Sequence, residues 1–362
     1  MPNLQLDIDC EGSLALNDNA FELCREFIQP HGDRFFRQMS RYDDYLVEVD
    51  RRPGYKPGDS LKLILPFLKA HGLTNAQIEA YSRKNVTLVP GAEGAFKFLH
   101  SRDFPIFEIS SSYRPFAEAV GLRLGFKKER IFSTELDLDH YTLSAAEAKE
   151  LKRLQEEIVA APAIELPSEN TAAADLAPVA EAIAVLDRIF WERLPRIPIG
   201  ALLQEVNLIG GPEKAKAVTD SLAQTKLSMA DMVYVGNSIT DVQAFEAVRA
   251  GKGLAISFNG DRDAVHAAEV IVVADSAWPL AMLAAIFQLW GKDGVLEVAC
   301  PETRDKSRCL VLPEAVIEPI ARGLEGHMFN LYDQSAEDLD KVVEESQAMR
   351  AKLRGEAVAA LG

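Results

Sequence analysis

Five short runs rich in β-forming apolar residues, Leu4 to Ile8, Pro105 to Ile109, Met232 to Val235, Leu254 to Phe258 and Val270 to Val273, are separated by stretches with helical patterns. That alternation confines the chain to an α/β fold, with a parallel sheet and crossover helices. Such a sheet places its chemistry at the carboxyl ends of its strands. Roughly ninety residues separate the first two runs, far more than the single crossover a parallel pair requires. A subdomain is therefore expected between them.

That insertion begins with a helix near Asn17 to Ile28, where Phe21, Leu23, Phe27 and Ile28 line an apolar face, and ends near the turn at Pro90-Gly91. It reads as mostly helical. A second excursion follows Phe132, with a helix over Ala145 to Ile158 that carries Leu151, Leu154 and Ile158 on one stripe. The segment Ala160 to Pro178 then reads as a surface loop or flexible linker. Beyond Trp290 the chain closes with an acidic helix after Ser335. Ser335 and Asp338 offer a capping pair there, and Leu339, Val342, Met349 and Leu353 form an apolar seam that either packs inward or dimerises. The expected division is a core of residues 1–14, 90–134 and 206–290, a helical cap of 15–89, a helical insertion of 135–205, and a C-terminal helical extension of 291–362. No internal repeat is visible.

Charge narrows the partners. With 55 acidic against 39 basic side chains the formal charge is −16, which disfavours nucleic acid, whose binding needs a concentrated basic face. A bound cation suits this balance better. The start Met1-Pro2-Asn3-Leu4 lacks the basic residues and long apolar run of a signal peptide, and charges break the later apolar stretches before membrane-spanning length. A cytoplasmic protein without membrane insertion is expected. Cys10, Cys24, Cys300 and Cys309 are scattered, with no C-x-x-C pair, and read as reduced thiols; Cys300 and Cys309 are the two with any chemical alternative.

Four segments carry candidate chemistry. In Leu6-Asp7-Ile8-Asp9-Cys10-Glu11-Gly12-Ser13-Leu14 a strand runs into carboxylates and a glycine turn. Two carboxylates flanking one residue can divide attack or metal binding from proton transfer, although a short acidic turn has the same composition. The second run continues into Ser110-Ser111-Ser112, which offers hydroxyl and N–H donors to an anion or else a helix cap. Gly210-Gly211-Pro212-Glu213-Lys214 sets a cation at the start of a helix, where a lysine is ordinarily solvated surface. The fourth, Val233 to Asp241, joins a buried-type strand to a glycine and to the oxygen donors Asn237 and Asp241, four residues apart, which suit magnesium.

In this order the four segments resemble the haloacid dehalogenase (HAD) superfamily of phosphatases and phosphotransferases. Asp9-Cys10-Glu11-Gly12-Ser13-Leu14 looks like its D-x-D-G-T-L signature, with Glu for the second Asp and Ser for Thr; Ser110 matches the second-motif hydroxyl and Lys214 the third-motif lysine. Gly236 to Asp241 resembles the G-D-x-x-x-D loop, with Asn237 at its first acidic place. More narrowly, DCEGSLALNDNAFEL, RYDDYL, GYKPGDSLKLI and GNSITD are similar to a small branch that includes energy-converting hydrogenase A subunit R of methanogens. The resemblance implies a Rossmann-like core, Asp9 as nucleophile, Glu11 as acid and base, and Ser110, Ser111 and Lys214 as phosphate contacts. It also implies Mg²⁺ at Asp9, Glu11 (through its carbonyl), Asn237 and Asp241, with Asp241 alternatively acting through water or by orienting Lys214. Asp7 and Asp9 form a second D-x-D pair, but Gly12 and Ser13 fall in place only if Asp9 leads.

The reading that follows is a magnesium-dependent phosphomonoesterase of a small phosphorylated metabolite. The other readings are a phosphotransferase or mutase that excludes water, and a weakly catalytic module attached to a redox complex, the last suggested by Asn237. Substrate choice is expected to lie in the cap. Arg34, Arg37, Arg41, Arg51, Arg52 and Lys56 there are either anion contacts or solvated charges, and Tyr42-Asp43-Asp44-Tyr45 either faces a cleft or ends a helix. A protein partner or a homodimer is left open.

Overall fold

All residues of Gln5–Ile8, Met232–Gly236, Leu254–Phe258 and Val270–Ala274 are buried. Continuous burial of this kind marks strands covered on both faces, as in a parallel sheet. The computed structural model describes residues 3–166, 176–300 and 313–359. Its strands are β1 (Gln5–Ile8), β2 (Ile106–Tyr113), β3 (Ile131–Thr134), β4 (Met232–Gly236), β5 (Leu254–Phe258), β6 (Val270–Ala274) and β7 (Phe329–Asp333). They form one sheet in the order β3-β2-β1-β4-β5-β6-β7. β1 runs parallel to β2 and to β4, and the parallel pairing continues through β5 and β6; β7 closes the edge antiparallel to β6. This is the Rossmann-like α/β arrangement that the resemblance implied.

Strand order reverses direction between β1 and β4, and the crevice at such a switch point is where doubly wound sheets bind ligands. Asp9 follows β1 and Asn237 follows β4. The helices of this unit used below are α1 (Ala92–His100), α2 (Arg114–Arg123), α3 (Pro212–Thr225), α4 (Val242–Ala250), α5 (Trp278–Ala299) and α6 (Leu339–Arg354). α5 is broken at Gly291 and packs against α1 and the β6–β7 edge. No described helix is long and apolar enough to cross a membrane.

The chain divides into two compact units. The first comprises Met1–Asn17, Asn85–Ser133 and Ile209–Ala360 and holds the sheet; the second comprises Asp18–Lys84 and Thr134–Leu208 and is built from helices. Both excursions therefore fold together, through rings distant in sequence: Phe35 lies 5.0 Å from Phe67, and Phe190 lies 6.0 Å from Phe67 and 5.9 Å from Tyr42. Within the first unit the departing and returning segments are zipped together, with Leu16 N donating to Thr87 O and Val89 N to Leu14 O.

The acidic run of the second unit is spent internally. The helix Gly32–Asp44 ends there, Tyr42 donates to Asp187 at 2.5 Å, and Asp43 accepts from Tyr55 and from the backbone of Gly58 and Ser60. Arg37 pairs with Asp33, Arg41 with Asp44, and Arg52 with Asp50 and Asp187.

Three expectations are modified by the structure. The C-terminal extension is not wholly helical, since it supplies β7. Its helix α6 is capped by Asp338, whose carboxylate accepts from Lys341 N, while the Ser335 hydroxyl turns to Asp333. Val342 of the seam, with Val343 beside it, is buried against Val265, Ile271 and Val273, and Leu339 and Met349 pack against the same cluster, an inward packing. Residues 167–175 of the expected linker and Cys309 lie outside the described residues; Cys10 and Cys24 are free thiols, and Cys300 Sγ lies 4.0 Å from Ser335 Oγ.

Candidate active site

Lys214 is the electrostatic centre of the site. Gly211 turns the chain at φ 56°, Pro212 opens α3, and Lys214 in its first turn is completely buried. Its ammonium lies 2.9 Å from Asp9 Oδ1 and 2.7 Å from Asp241 Oδ1. A buried charge is tolerated only when paired and hydrogen-bonded, and here one cation answers two enclosed carboxylates. Burial disfavours the ammonium, but Asp241 and Asp9 outweigh it and hold its pKa above the ordinary lysine value. For Asp9 burial dominates: it pushes the carboxyl up to about 6, against the pull of Lys214 and with a smaller push from Asp241. A carboxyl with that pKa is largely ionised at neutral pH.

Asp241 is fixed by donors on both of its oxygens. Its Oδ1 accepts from Lys214 and from the Tyr234 hydroxyl at 2.7 Å, and its Oδ2 from the backbone N–H groups of Asn237 at 2.9 Å and Ser238 at 3.1 Å. Gly236 permits this, because a Cβ there would fall 2.4 Å from the Asp241 carboxyl carbon. Burial and the neighbouring Asp241 hold the Tyr234 phenol well above its ordinary pKa, so it stays a donor.

Asp7 occupies a different place from Asp9. It points along the same sheet face but farther from the carboxyl end, where Ser221 Oγ donates to it at 2.5 Å and Gln5 Nε2 at 2.9 Å. Burial raises its pKa to about 7 despite those two donors.

The second motif joins the first through a residue that sequence reasoning did not select. Ser110 and Ser111 are not helix caps, because β2 continues to Tyr113 and α2 starts beyond it. Ser110 is buried, and its Oγ accepts from Ser112 N at 3.0 Å, leaving its own proton to donate. Ser111, the next residue of the strand, is half-buried. Ser112 Oγ donates to Glu11 Oε1 at 2.7 Å, which fixes the carboxylate two residues beyond Asp9. The selecting signal was present in the run of three serines, whose alternation along a strand gives successive hydroxyls different jobs.

Asn237 meets the loop after β1 directly. Its Nδ2 donates to the Glu11 carbonyl at 2.7 Å, and Gly12, at φ 85°, is the only residue type that fits beneath: a Cβ there would lie 1.8 Å from that nitrogen. Asp241 is thus turned to Lys214, Tyr234 and the backbone of Asn237 and Ser238. Among the described residues no group of three His, Cys, Asp or Glu side chains converges on a metal position. What does fit a hard cation is the Asp9 carboxylate, the Glu11 carbonyl and, after a half-turn of the amide that leaves its shape unchanged, Asn237 Oδ1. One carboxylate and two neutral oxygens, completed by water and a substrate oxygen, match the donor set that magnesium accepts.

No protein-family model and no curated protein sequence matches the chain. Among solved structures it is similar to gene product AF1437 from Archaeoglobus fulgidus, at 29% identity over 99% of each chain with a TM-score of 0.78. It also aligns with a HAD-family hydrolase from Salmonella enterica serovar Typhi (12% identity, 72% of this chain and 64% of that one, TM-score 0.43). A phospho-aspartyl intermediate analogue of phosphoserine phosphatase aligns at 13% identity over 75% of this chain and 93% of that one, with a TM-score of 0.45. These two likenesses are too distant to bear on the chemistry.

Proposed function

We propose that this chain is a cytoplasmic, magnesium-dependent phosphohydrolase of the haloacid dehalogenase type, cleaving a small phosphorylated metabolite through an aspartyl-phosphate on Asp9. The observation that carries the reading is the fully buried Lys214 ammonium, 2.9 Å from Asp9 and 2.7 Å from Asp241. A carboxylate kept ionised by a fixed cation at the end of a central strand is equipped to attack phosphorus. The same cation is set to receive the charge that gathers on the transferred phosphoryl oxygens.

In the first step an Asp9 oxygen bonds to phosphorus as the ester P–O bond breaks, and Glu11 gives its proton to the departing alkoxide. In the second, Glu11 takes a proton from water, the water oxygen bonds to phosphorus, and the Asp9–phosphorus bond breaks to release phosphate. Ser112 keeps Glu11 in place for both transfers. Ser110 donates its hydroxyl proton to a phosphoryl oxygen. Asp9, the Glu11 carbonyl and Asn237 would hold magnesium, which would supply charge neutralisation for the phosphoryl group.

The test is phosphate release from a panel of phosphorylated metabolites with magnesium, alongside acid-quenched labelling of Asp9 from a ³²P-labelled substrate. Release with a hydroxylamine-labile label supports the reading. Label passed to an added acceptor without free phosphate would replace hydrolysis by transfer, and neither release nor label from any ester would refute it.

A further inference from the structure

Three side chains spaced by four residues on α6, Ser346, Arg350 and Arg354, donate to backbone carbonyls of three different loops. Ser346 Oγ reaches Gly260 O at 2.7 Å, beyond β5. Arg350 Nη1 reaches Asn237 O at 3.1 Å, beyond β4. Arg354 reaches Leu16 O through Nε at 3.0 Å and Asn17 O through Nη2 at 2.7 Å, beyond β1. The i, i+4, i+8 spacing puts all three on one face of the helix, and that face runs across the carboxyl end of the sheet.

The contacts converge on Asn237. Its carbonyl accepts from both Arg350 and Asp261 N, its own N–H is taken by Asp241, and its side-chain amide lies on the Glu11 carbonyl. Arg354 Nη1 completes the junction, 3.5 Å from the point where a Cβ on Gly12 would sit and where the Asn237 amide already lies. Arg350 is 4% exposed. An enclosed guanidinium is a costly way to seal a helix, since apolar residues of similar volume serve stability at least as well. Its forked, directional donors do what an apolar side chain cannot, which is to fix where a carbonyl points.

We infer that Arg350 and Arg354 are positioning residues for the reaction: α6 fastens the Asn237 loop and the exit of the nucleophile loop so that Asn237 and Glu11 stay in register. The inference rests on the phosphohydrolase reading for its kinetic consequence but not for its structural one. Arg350→Lys and Arg354→Lys keep the charge and lose the fork. Hydrogen exchange, which needs no turnover, should quicken by about tenfold or more in the Asn237–Asp241 and Leu14–Asn17 segments, with β4 and β5 amides unchanged. With an active enzyme, kcat should fall about tenfold while KM moves less than about threefold. Arg350→Lys should cost nothing further in an Asn237→Ala background, because both act through one residue. If Arg350→Lys does not fold, Arg354→Lys, at the half-buried end of the helix, carries the same test. Unchanged exchange in both segments overturns the fastening. Full kcat in the variants, or losses that add to Asn237→Ala, overturn the kinetic role, whereas a wild type inert on every ester refutes the functional reading and leaves exchange to decide the fastening.

Discussion

Replacing Lys214 with methionine removes the cation between two enclosed carboxylates and leaves an unbranched apolar side chain one atom shorter. The Asp9 and Asp241 oxygens, each within 2.9 Å of the ammonium, are at most about 6 Å apart, where two unit charges repel by roughly 3 kcal/mol at an effective dielectric of about 20. Stranding a buried charge by deleting its partner costs about 3–5 kcal/mol, so the variant should lose that much stability at pH 8. The sign with pH follows from the carboxyls. Without Lys214 the folded-state pKa of Asp9 rises beyond its present value of about 6, further above the unfolded value. The loss is then fully present at high pH and is relieved as pH falls through the raised pKa and Asp9 takes a proton. At pH 5 the deficit should be smaller by at least about 1–2 kcal/mol. Urea unfolding of wild type and Lys214→Met in EDTA at both pH values measures it. A deficit under about 1 kcal/mol, or one equal at pH 5 and pH 8, would show that the three groups do not share charge as described.

Three further outcomes separate the roles of neighbouring residues. Asp9→Asn should abolish turnover while Asp7→Asn keeps a substantial part of it, measured as phosphate release, since loss of a nucleophile costs several powers of ten; the reverse pattern would move the nucleophile. Burial holds the Asp7 pKa near 7, so ionisation opposes folding as pH rises from the unfolded carboxyl value to about 7. Asp7→Asn should therefore gain on wild type by roughly 2–3 kcal/mol between pH 5 and pH 8 in urea unfolding. Asn237→Asp should reach half-maximal rate at lower magnesium than wild type, because a carboxylate binds the ion more strongly than an amide; superimposable titrations would remove Asn237 from the ligand set.

Much of the sheet was legible because its inner strands are short apolar runs bounded by polar turns, and β1, β2, β4, β5 and β6 all fall on such runs. The edges were not. β3 is four residues, Ile-Phe-Ser-Thr, and β7 reads Phe-Asn-Leu-Tyr-Asp with only Leu331 buried, so neither has the continuous burial that advertises an inner strand. Lys214, Asp9 and Asp241 were named from motif spacing, and the structure brings them together. Tyr234 was hidden inside an apolar strand, where a hydroxyl looks like one more aromatic. Ser346, Arg350 and Arg354 did leave a trace, a polar stripe beside the seam of Val342 and Met349, but a polar stripe on a helix is ordinarily solvent-facing, and only the fold shows these donors turned inward. The single compact unit made by both excursions had no local signature, because its aromatic contacts join residues more than a hundred positions apart.

The strand that leads into Asp9 is made well before both of the strands it pairs with. β1 pairs with β2 about a hundred residues downstream and with β4 more than two hundred downstream, and the helix that grips the Asn237 loop ends at Arg354. Closing loops of that length is entropically slow compared with winding helices. A growing chain therefore carries Asp9 for a time without Ser112 to orient the neighbouring Glu11, for longer without Lys214 to balance it, and longer still without the arginines that hold the Asn237 loop. The cluster of Asp9, Lys214 and Asp241 can therefore assemble only after β4 and the Asn237 loop have been made, so the order of synthesis delays the site until the segments that balance and hold Asp9 exist.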